Sequence, residues 1–584
     1  MARSVLSVIE GSSIIPKTPF VPSNTGLMNF HNLRTRIKII AVLLITAISF
    51  PSNAATSLEI QGAIAERLRD ENYVAQSIVG RILRQSDILL RIYASTQYAP
   101  LWSNPQQILR FLQLISDADE DGLLVDDYHL SELREMMPTA NSSAVAQAEF
   151  DIVLTDSFAR LAYHLRFGKA NPHDLDPNWN FSRALITSDP AAWLRGAIER
   201  DEIPSALEWL RPKIPPYQSL KAALQHYRKL STLGNWPIIP EGPTLKAGMD
   251  DPRVALVHAR LASKLGQPVN VHENNYFDQD LEHLVRKFQV RYGLFEDGFV
   301  GDRTRSAMNM SIADHIAQLR VNMERVRWLF RDIDDNYITV NIAAFQAAYI
   351  NHGEVLWRAR AVVGRAFRQT PIFKSTMTYM VFNPTWTIPP TILKQDALPA
   401  ISKDLGYLTR KHLRVLTPAG VELDPLTIDW KRANNGHFPY QLRQDPGPHN
   451  ALGRVKFIFP NPHFVYLHDT PSRELFGRAE RTFSSGCIRI ERSLELAQIL
   501  LDANSDPRKA QVREFLDTQS PRKVKLKVPI TVMLLYLTAF SEGDGTVHFR
   551  RDIYQRDKKV LDAIDGPFNF VPPGGYIKSQ LNSL

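Results

Sequence analysis

The spacing of apolar residues changes at Tyr337, and that change divides the chain. Before it, apolar residues recur at helical intervals: Ile108, Leu109, Leu112 and Ile115, then Ile152, Leu154, Phe158, Leu161 and Leu165. Residues three and four apart share one face of an α-helix, so these segments predict helices with a buried stripe. After it, Ile338, Val340 and Ile342 alternate with Thr339 and Asn341, the period of a half-buried strand. A chain of 584 residues is too long for a single core and divides into about three or four domains. The expectation is a multidomain α+β protein: helical over 57–245, a second helical unit over 251–312, a connecting helix over 313–335, and a mostly-β domain over 337–560.

The ends read differently. Arg34, Arg36 and Lys38 precede the apolar run Ile39 to Phe50 and the small residues Ala54 and Ala55. That order predicts a secretory signal within 1–55, cleaved after Ala54 or Ala55, and so export. The run is short for a membrane span, although an uncleaved anchor is the alternative. Met28 would begin a signal of ordinary length. The Pro/Gly-rich tail, 566–584, is expected to be disordered.

Net charge is +8, with 44% hydrophobic and 22% charged residues, an ordinary soluble balance. A basic excess suits nucleic acid, an anionic cell-wall polymer, or simple solubility. No nucleic-acid motif accompanies it, so no nucleic-acid partner is expected. Asp119-Glu-Asp121-Gly122 lacks the later glutamate of a calcium loop and reads as a turn. The single cysteine excludes an internal disulfide and argues against a cysteine-rich zinc site; no metal is expected.

That cysteine, Cys487, lies in Thr482-Phe-Ser-Ser-Gly-Cys487-Ile-Arg489-Ile490, and His468 precedes it by 19 residues. A lone cysteine is most often a small buried hydrophobe. Here its neighbours are polar or small, Arg489 is cationic, and export makes an unpaired thiol unusual. A thiol needs a base to act as a nucleophile, and an imidazole can take its proton and return it to a leaving group. Gly486 lets the backbone turn sharply and aim amides near Ser485, Gly486 and Cys487 at an oxyanion. In a strand Tyr466 and His468 share one face and Asp469 the other. Asp469 is therefore badly placed to orient His468, and a backbone carbonyl is the expected orienter. Arg478 and Arg481 read as substrate contacts or as solvated surface.

His468-Asp-Thr470, the spacer, and Ser485-Gly486-Cys487-Ile-Arg489 resemble the signature of the L,D-transpeptidase (YkuD) catalytic domain. Ser485 stands where many members carry a second histidine. Asn383-Pro-x-Trp386 with Pro389-Pro390, and Gly447 to Phe457 with Asn450 inside, also resemble the family. The segment 392–445 interrupts the strands between these motifs, as the capping subdomain does in long, YcbB-type members. Phe288-Gln289, Gly293-Leu294, Asp297-Gly298, Gly301 and Thr304 resemble a three-helix peptidoglycan-binding module; Asp302 or Thr304 is expected to cap its last helix. The region 57–245 is similar to the helical scaffold of the same long enzymes.

The resemblance implies a periplasmic enzyme of cell-wall biogenesis that needs no cofactor. Cys487 would be the nucleophile, His468 the general acid/base, Ser485 and Gly486 the oxyanion amides, and Arg489 a local electrostatic aid. Tyr466, Trp386 and Asn450 would contact substrate, with Trp386 equally readable as core. The implied reaction takes a tetrapeptide donor stem and an acceptor stem to a 3→3 crosslink through a thioester. Carbapenem-type β-lactams are the implied covalent inhibitors. An L,D-carboxypeptidase on the same dyad, or a catalytically dead wall-binding scaffold, are the alternatives. A lid formed by 392–445 is expected to favour transfer over hydrolysis.

Overall fold

The computed structural model describes residues 55–69, 88–183, 189–232, 238–265, 275–330, 333–436, 438–503 and 506–568. The expected signal and nearly all of the tail lie outside them. No helix among the described residues is long and apolar enough to cross a membrane.

The first region is helical. Helix α1 (Pro105–Ser116) begins at Asn104, whose side chain accepts from the Gln106 N–H. It buries Leu112 and Ile115, but Leu109 faces outward at 37% exposure. Helix α2 (Ala144–Phe167) is buried nearly all round and forms the axis of this core. Asp121 accepts from Arg211 Nε and Tyr217 Oη, both at 2.9 Å, so its carboxylate closes a buried ion pair.

Helix α3 (Pro215–Ser231) packs into a second core. Tyr217, Leu220, Leu224 and Tyr227 join residues of α4 (Arg253–Leu265), α5 (Gln279–Tyr292) and α6 (Asp302–Asn309). By packing, α3 thus goes with the module that follows it, because its apolar stripe meets that core. The N-cap of α6 is Gly301, without a side-chain cap. Thr304 instead accepts from Gln289, and Asp302 pairs with Arg305, so neither residue caps the helix as expected.

Helix α7 (Ile312–Leu329) starts in a capping box between Ser311 and Asp314. Its Leu319, Met323 and Val326 enter the module core, while Val321, Trp328 and Leu329 enter the core of the β domain. Glu324 and Arg327 are buried between them. Arg327 Nη1 donates to Glu324 Oε2 (2.8 Å), and Glu324 Oε1 accepts from the Ala170 N–H (2.7 Å). A buried pair of this kind fixes an arrangement more than it stabilises it.

The β domain comprises β1 (Asn336–Asn341), β2 (Gln346–Asn351), β3 (Glu354–Gly364), β4 (Phe373–Phe382), β5 (Trp386–Thr387), β6 (Arg414–Leu416), β7 (Glu422–Leu423), β8 (Gln441–Gln444), β9 (Val455–Ile458), β10 (Leu467–His468), β11 (Thr482–Ser484), β12 (Ile488–Ile490), β13 (Arg522–Leu535), β14 (Ala539–Ser541) and β15 (Val547–Phe549). The main sheet runs β11-β3-β12-β10-β9-β4-β13-β1-β2 and closes through a further β2–β3 pairing. Strand β3 has β12 on one side; its other side takes β2 first and β11 at its end. Helix α8 (Ser493–Ala503) covers the sheet with Leu496, Ala497, Leu500 and Leu501.

Two parts depart from a simple domain order. Strands β5, β8, β6 and β7 form a separate sheet over their own core of Ile388, Leu398, Val415, Trp430 and Leu442. This cap therefore includes β5, which precedes the inserted segment, as well as β6, β7 and β8 within it. The hairpin β14–β15 places Ala539, Val547 and Phe549 in the module core, although its sequence reads as the last hairpin of the β domain.

Candidate active site

Strands β10 and β12 lie side by side in parallel, with Leu467 opposite Ile488 and His468 opposite Arg489. The Ile488 N–H donates to the Tyr466 carbonyl (3.1 Å), which brings the turn before β12 against the start of β10. The 18-residue spacer between His468 and Cys487 is thus a crossover between neighbouring strands.

His468 is buried, at 4% exposure. Its Nδ1 lies 2.5 Å from the Asp469 carbonyl, which can only accept, so Nδ1 carries the proton and Nε2 is left as the base. The backbone carbonyl expected from strand parity holds the ring. The Asp469 carboxylate turns away and accepts from the Arg454 N–H (2.8 Å), Ser493 Oγ (2.8 Å) and Arg473 Nη2 (2.5 Å). Burial first, then the cation Arg489, pushes the His468 imidazole down to about 3. The ring is therefore neutral at physiological pH.

Cys487 is half-buried, and its Sγ contacts the Phe464 carbonyl at 3.8 Å. Burial pushes the thiol up, opposed by hydrogen bonds from the Tyr466 backbone and side chain and by the charges of Lys456 and Arg489. The neighbouring strands β10 and β12 thus carry a neutral imidazole at His468, while Cys487, held toward its thiol form, immediately precedes β12.

Tyr466 links three expected site residues. Its ring centroid is 5.6 Å from that of His468, and its hydroxyl interacts with both Cys487 and Trp386. Trp386 lies on β5 of the cap, half-buried against the cap core. Lys456, opposite His468 on β9, lies 3.7 Å from the centre of the Tyr466 ring. Burial lowers its ammonium while the sulfur holds it up. Sequence reading gave Lys456 no role; it sits on the face of β9 opposite the buried Val455 and Phe457.

The turn Ser484–Cys487 is built to expose amides. Gly486 has φ +114°, a conformation side-chain-bearing residues rarely adopt. Its N–H was expected to face an oxyanion, but it donates to Ser484 Oγ (3.1 Å), because that buried hydroxyl folds back over the turn. Ser484 Oγ in turn donates to the Cys487 carbonyl (2.5 Å). Thr370 Oγ1 donates to the Gly486 carbonyl and accepts from the Gly364 N–H, both at 2.9 Å. The N–H groups of Ser485 and Cys487 take no partner among the described residues. They are the two donors of the turn left available to a ligand.

Arg489 lies half-buried on β12 with its Nε buried and unpaired among the described residues. The Ser485 side chain is exposed, and its Oγ accepts from Arg368 Nη1 (3.0 Å). Arg368 also donates to Gln395 (2.7 Å) and Asp396 (3.0 Å) of the cap, tying the catalytic turn to it. Asn450 does not reach the cleft. It is buried, donates to the Pro384 and Asp445 carbonyls (2.9 and 3.0 Å), and accepts from the Leu452 N–H (2.8 Å). Its amide is fully used in holding the root of the cap. Arg481 donates to the Ala361 and Phe345 carbonyls (both 3.2 Å) and is structural, whereas Arg478 is exposed.

Comparison with known proteins agrees with this geometry. Residues 335–525 match the L,D-transpeptidase catalytic domain (YkuD). Residues 250–308 match a family described as "Putative peptidoglycan binding domain", and 87–224 a scaffold domain. The mostly-β domain is thus an L,D-transpeptidase catalytic domain of the YkuD family, accompanied by a scaffold domain and a peptidoglycan-binding domain. The chain is 36% identical over 245 residues to "Putative L,D-transpeptidase" from Haemophilus influenzae (strain ATCC 51907 / DSM 11121 / KW20 / Rd). The match covers 42% of this chain and 48%, about half, of that relative. Among solved structures, L,D-transpeptidase (Yku) from Stackebrandtia nassauensis aligns at 12% identity over 51% of this chain and 96% of its own, with a TM-score of 0.20. The L,D-transpeptidase (residues 123–326) from Xylanimonas cellulosilytica DSM 15894 aligns at 13% identity over 50% and 98%, with a TM-score of 0.16.

Proposed function

We propose that this chain is a periplasmic L,D-transpeptidase that forms 3→3 peptidoglycan crosslinks through a Cys487 thioester. One observation supports it above others: the sole thiol follows a positive-φ glycine turn with unpartnered amides, next to the strand paired with β10, whose buried His468 has its Nδ1 already engaged. The Cys487 sulfur attacks the donor carbonyl between the diaminopimelate centre and D-Ala as its proton passes to His468 Nε2. The Ser485 and Cys487 amides hold the oxyanion. The C–N bond breaks, His468 returns the proton to the D-Ala amine, and a thioester remains. The side-chain amine of an acceptor stem then attacks the thioester, with its proton removed by His468. The sulfur leaves, is reprotonated, and an amide bond has formed.

Water competes at the thioester at about 55 M, so transfer requires a positioned acceptor and a shielded cleft. In this reading the cap supplies both, a role supported by the interaction of Trp386 with Tyr466 and by Arg368, which joins Asp396 to Ser485. Replacing 392–445 with a short Gly/Ser linker is expected to leave Cys487 reactive toward a small β-lactam. The same change is expected to lower the ratio of crosslinked dimer to hydrolysed tripeptide. An unaltered ratio in a folded variant removes the lid.

The deciding experiment is a mass spectrum of the products from purified tetrapeptide muropeptides. The expected result is dimers with the native chain and none with Cys487→Ala. Tripeptide alone identifies an L,D-carboxypeptidase; dimers from the alanine variant end the thioester mechanism.

A further inference from the structure

Two cavities lie between the module and the β domain and share Phe295, Arg303, Ala479 and Glu480. The first, of about 390 Å³, is floored by Phe345 and Arg551 from the β domain and roofed by the module's residues from Tyr292 to Thr304. The second, of about 920 Å³, runs along Glu474 to Glu480 and ends at Thr482 and Phe483. Those last two residues belong to β11, and Cys487 follows Ser484 by three positions. The groove therefore starts on the module and ends on the strand that enters the catalytic turn.

Its lining suits a polymer with both apolar ring faces and anions. Phe295 is 61% and Phe299 41% exposed, which leaves two aromatic faces uncovered on the module side. Arg303 of the module and Arg551 of the β domain both reach Glu480, at 4.0 and 2.9 Å, and keep two-thirds of their side chains exposed. Cavities of these sizes are in the range that holds extended ligands of a few rings.

We propose that this cleft is a composite groove in which module and catalytic domain together bind one peptidoglycan strand. Amino-sugar rings lie on Phe295 and Phe299, stem carboxylates meet Arg303 and Arg551, and the strand leads a stem toward Cys487. The choice of peptidoglycan over a protein partner rests on the transpeptidase reading above and on the groove's continuity with β11.

The test sediments the full chain carrying Cys487→Ala with purified, protein-free sacculi. Adding Phe295→Ala and Arg303→Ala together is expected to weaken binding tenfold or more with an unchanged thermal midpoint. Lys287→Ala, exposed on α5 away from the groove, is expected to bind as the parent does. A folded double variant that still binds as the parent makes the cleft a protein-facing surface and overturns the proposal. So does an equal loss in Lys287→Ala, which would mean nonspecific charge. If the native chain makes no dimers yet the double variant loses sacculus binding, the groove stands and the transferase reading falls.

Discussion

The molecule contains two glycine turns built alike and finished differently. In the module, the Gly298 N–H donates to Gln289 Oε1 (2.9 Å). In the catalytic domain, the Gly486 N–H donates to Ser484 Oγ (3.1 Å). Both glycines have positive φ, +78° and +114°. Around Gly298 the remaining groups are also taken. Gln289 Nε2 donates to Asp297 Oδ1, the Phe299 carbonyl and Thr304 Oγ1, and Asp297 Oδ1 accepts from the Phe299 N–H. Around Gly486, the N–H groups of Ser485 and Cys487 find no partner among the described residues. A fully bonded turn serves the fold; a turn that holds its glycine but leaves flanking donors unpaired is prepared for a ligand.

The comparison can be broken in order of expected effect. His468→Ala is expected to slow acylation by a small β-lactam about a hundredfold, measured by stopped-flow absorbance. An unchanged rate removes His468 as the base. Next come the two turn-holding side chains, taken as a pair. Ser484→Ala leaves the Gly486 N–H and the Cys487 carbonyl without their partner, and is expected to slow acylation about tenfold at a stability loss of about 1–2 kcal/mol. Gln289→Ala is expected to lose about 3 kcal/mol in urea unfolding, since several buried groups lose partners, while acylation stays within about twofold. The reverse outcome would mean the two turns have been assigned to the wrong tasks.

The smallest effect is on pH. A base depressed to about 3 stays unprotonated as pH falls, so the usual loss near pH 6.5 should be absent. Acylation is expected to vary less than about twofold between pH 5 and 8. A limb with its midpoint near 6.5 would mean that His468 is solvated in solution.

How much of this was legible depended on whether a role was local. Cys487, its glycine turn and the same-face relation of Tyr466 and His468 follow from strand parity and short spacing. The carbonyl that orients His468 follows too, because Asp469 had to point away. Lys456 was missed because its place beside Tyr466 exists only once β9 and β10 pair. Asn450 read as a cleft residue because its loop carries a motif, yet its amide closes the base of the cap. Likewise β14–β15 read as part of the β domain, but its apolar side meets the module core, a contact spanning more than 200 positions. Periodicity reports that a face is buried and not what buries it.

The cap enters after β4 and leaves before β9, and those strands are antiparallel neighbours with Phe382 opposite Val455. The Asn383 N–H donates to the Arg454 carbonyl (2.9 Å), which closes the ladder one step beyond. In connectivity the whole cap is therefore the loop of a β-hairpin. Lengthening such a loop from a few residues to about 70 costs only about 2–3 kcal/mol in closure entropy, because the cost grows logarithmically. The cap has its own core to offset that, so a lineage could acquire, enlarge or lose it while every strand of the barrel kept its register.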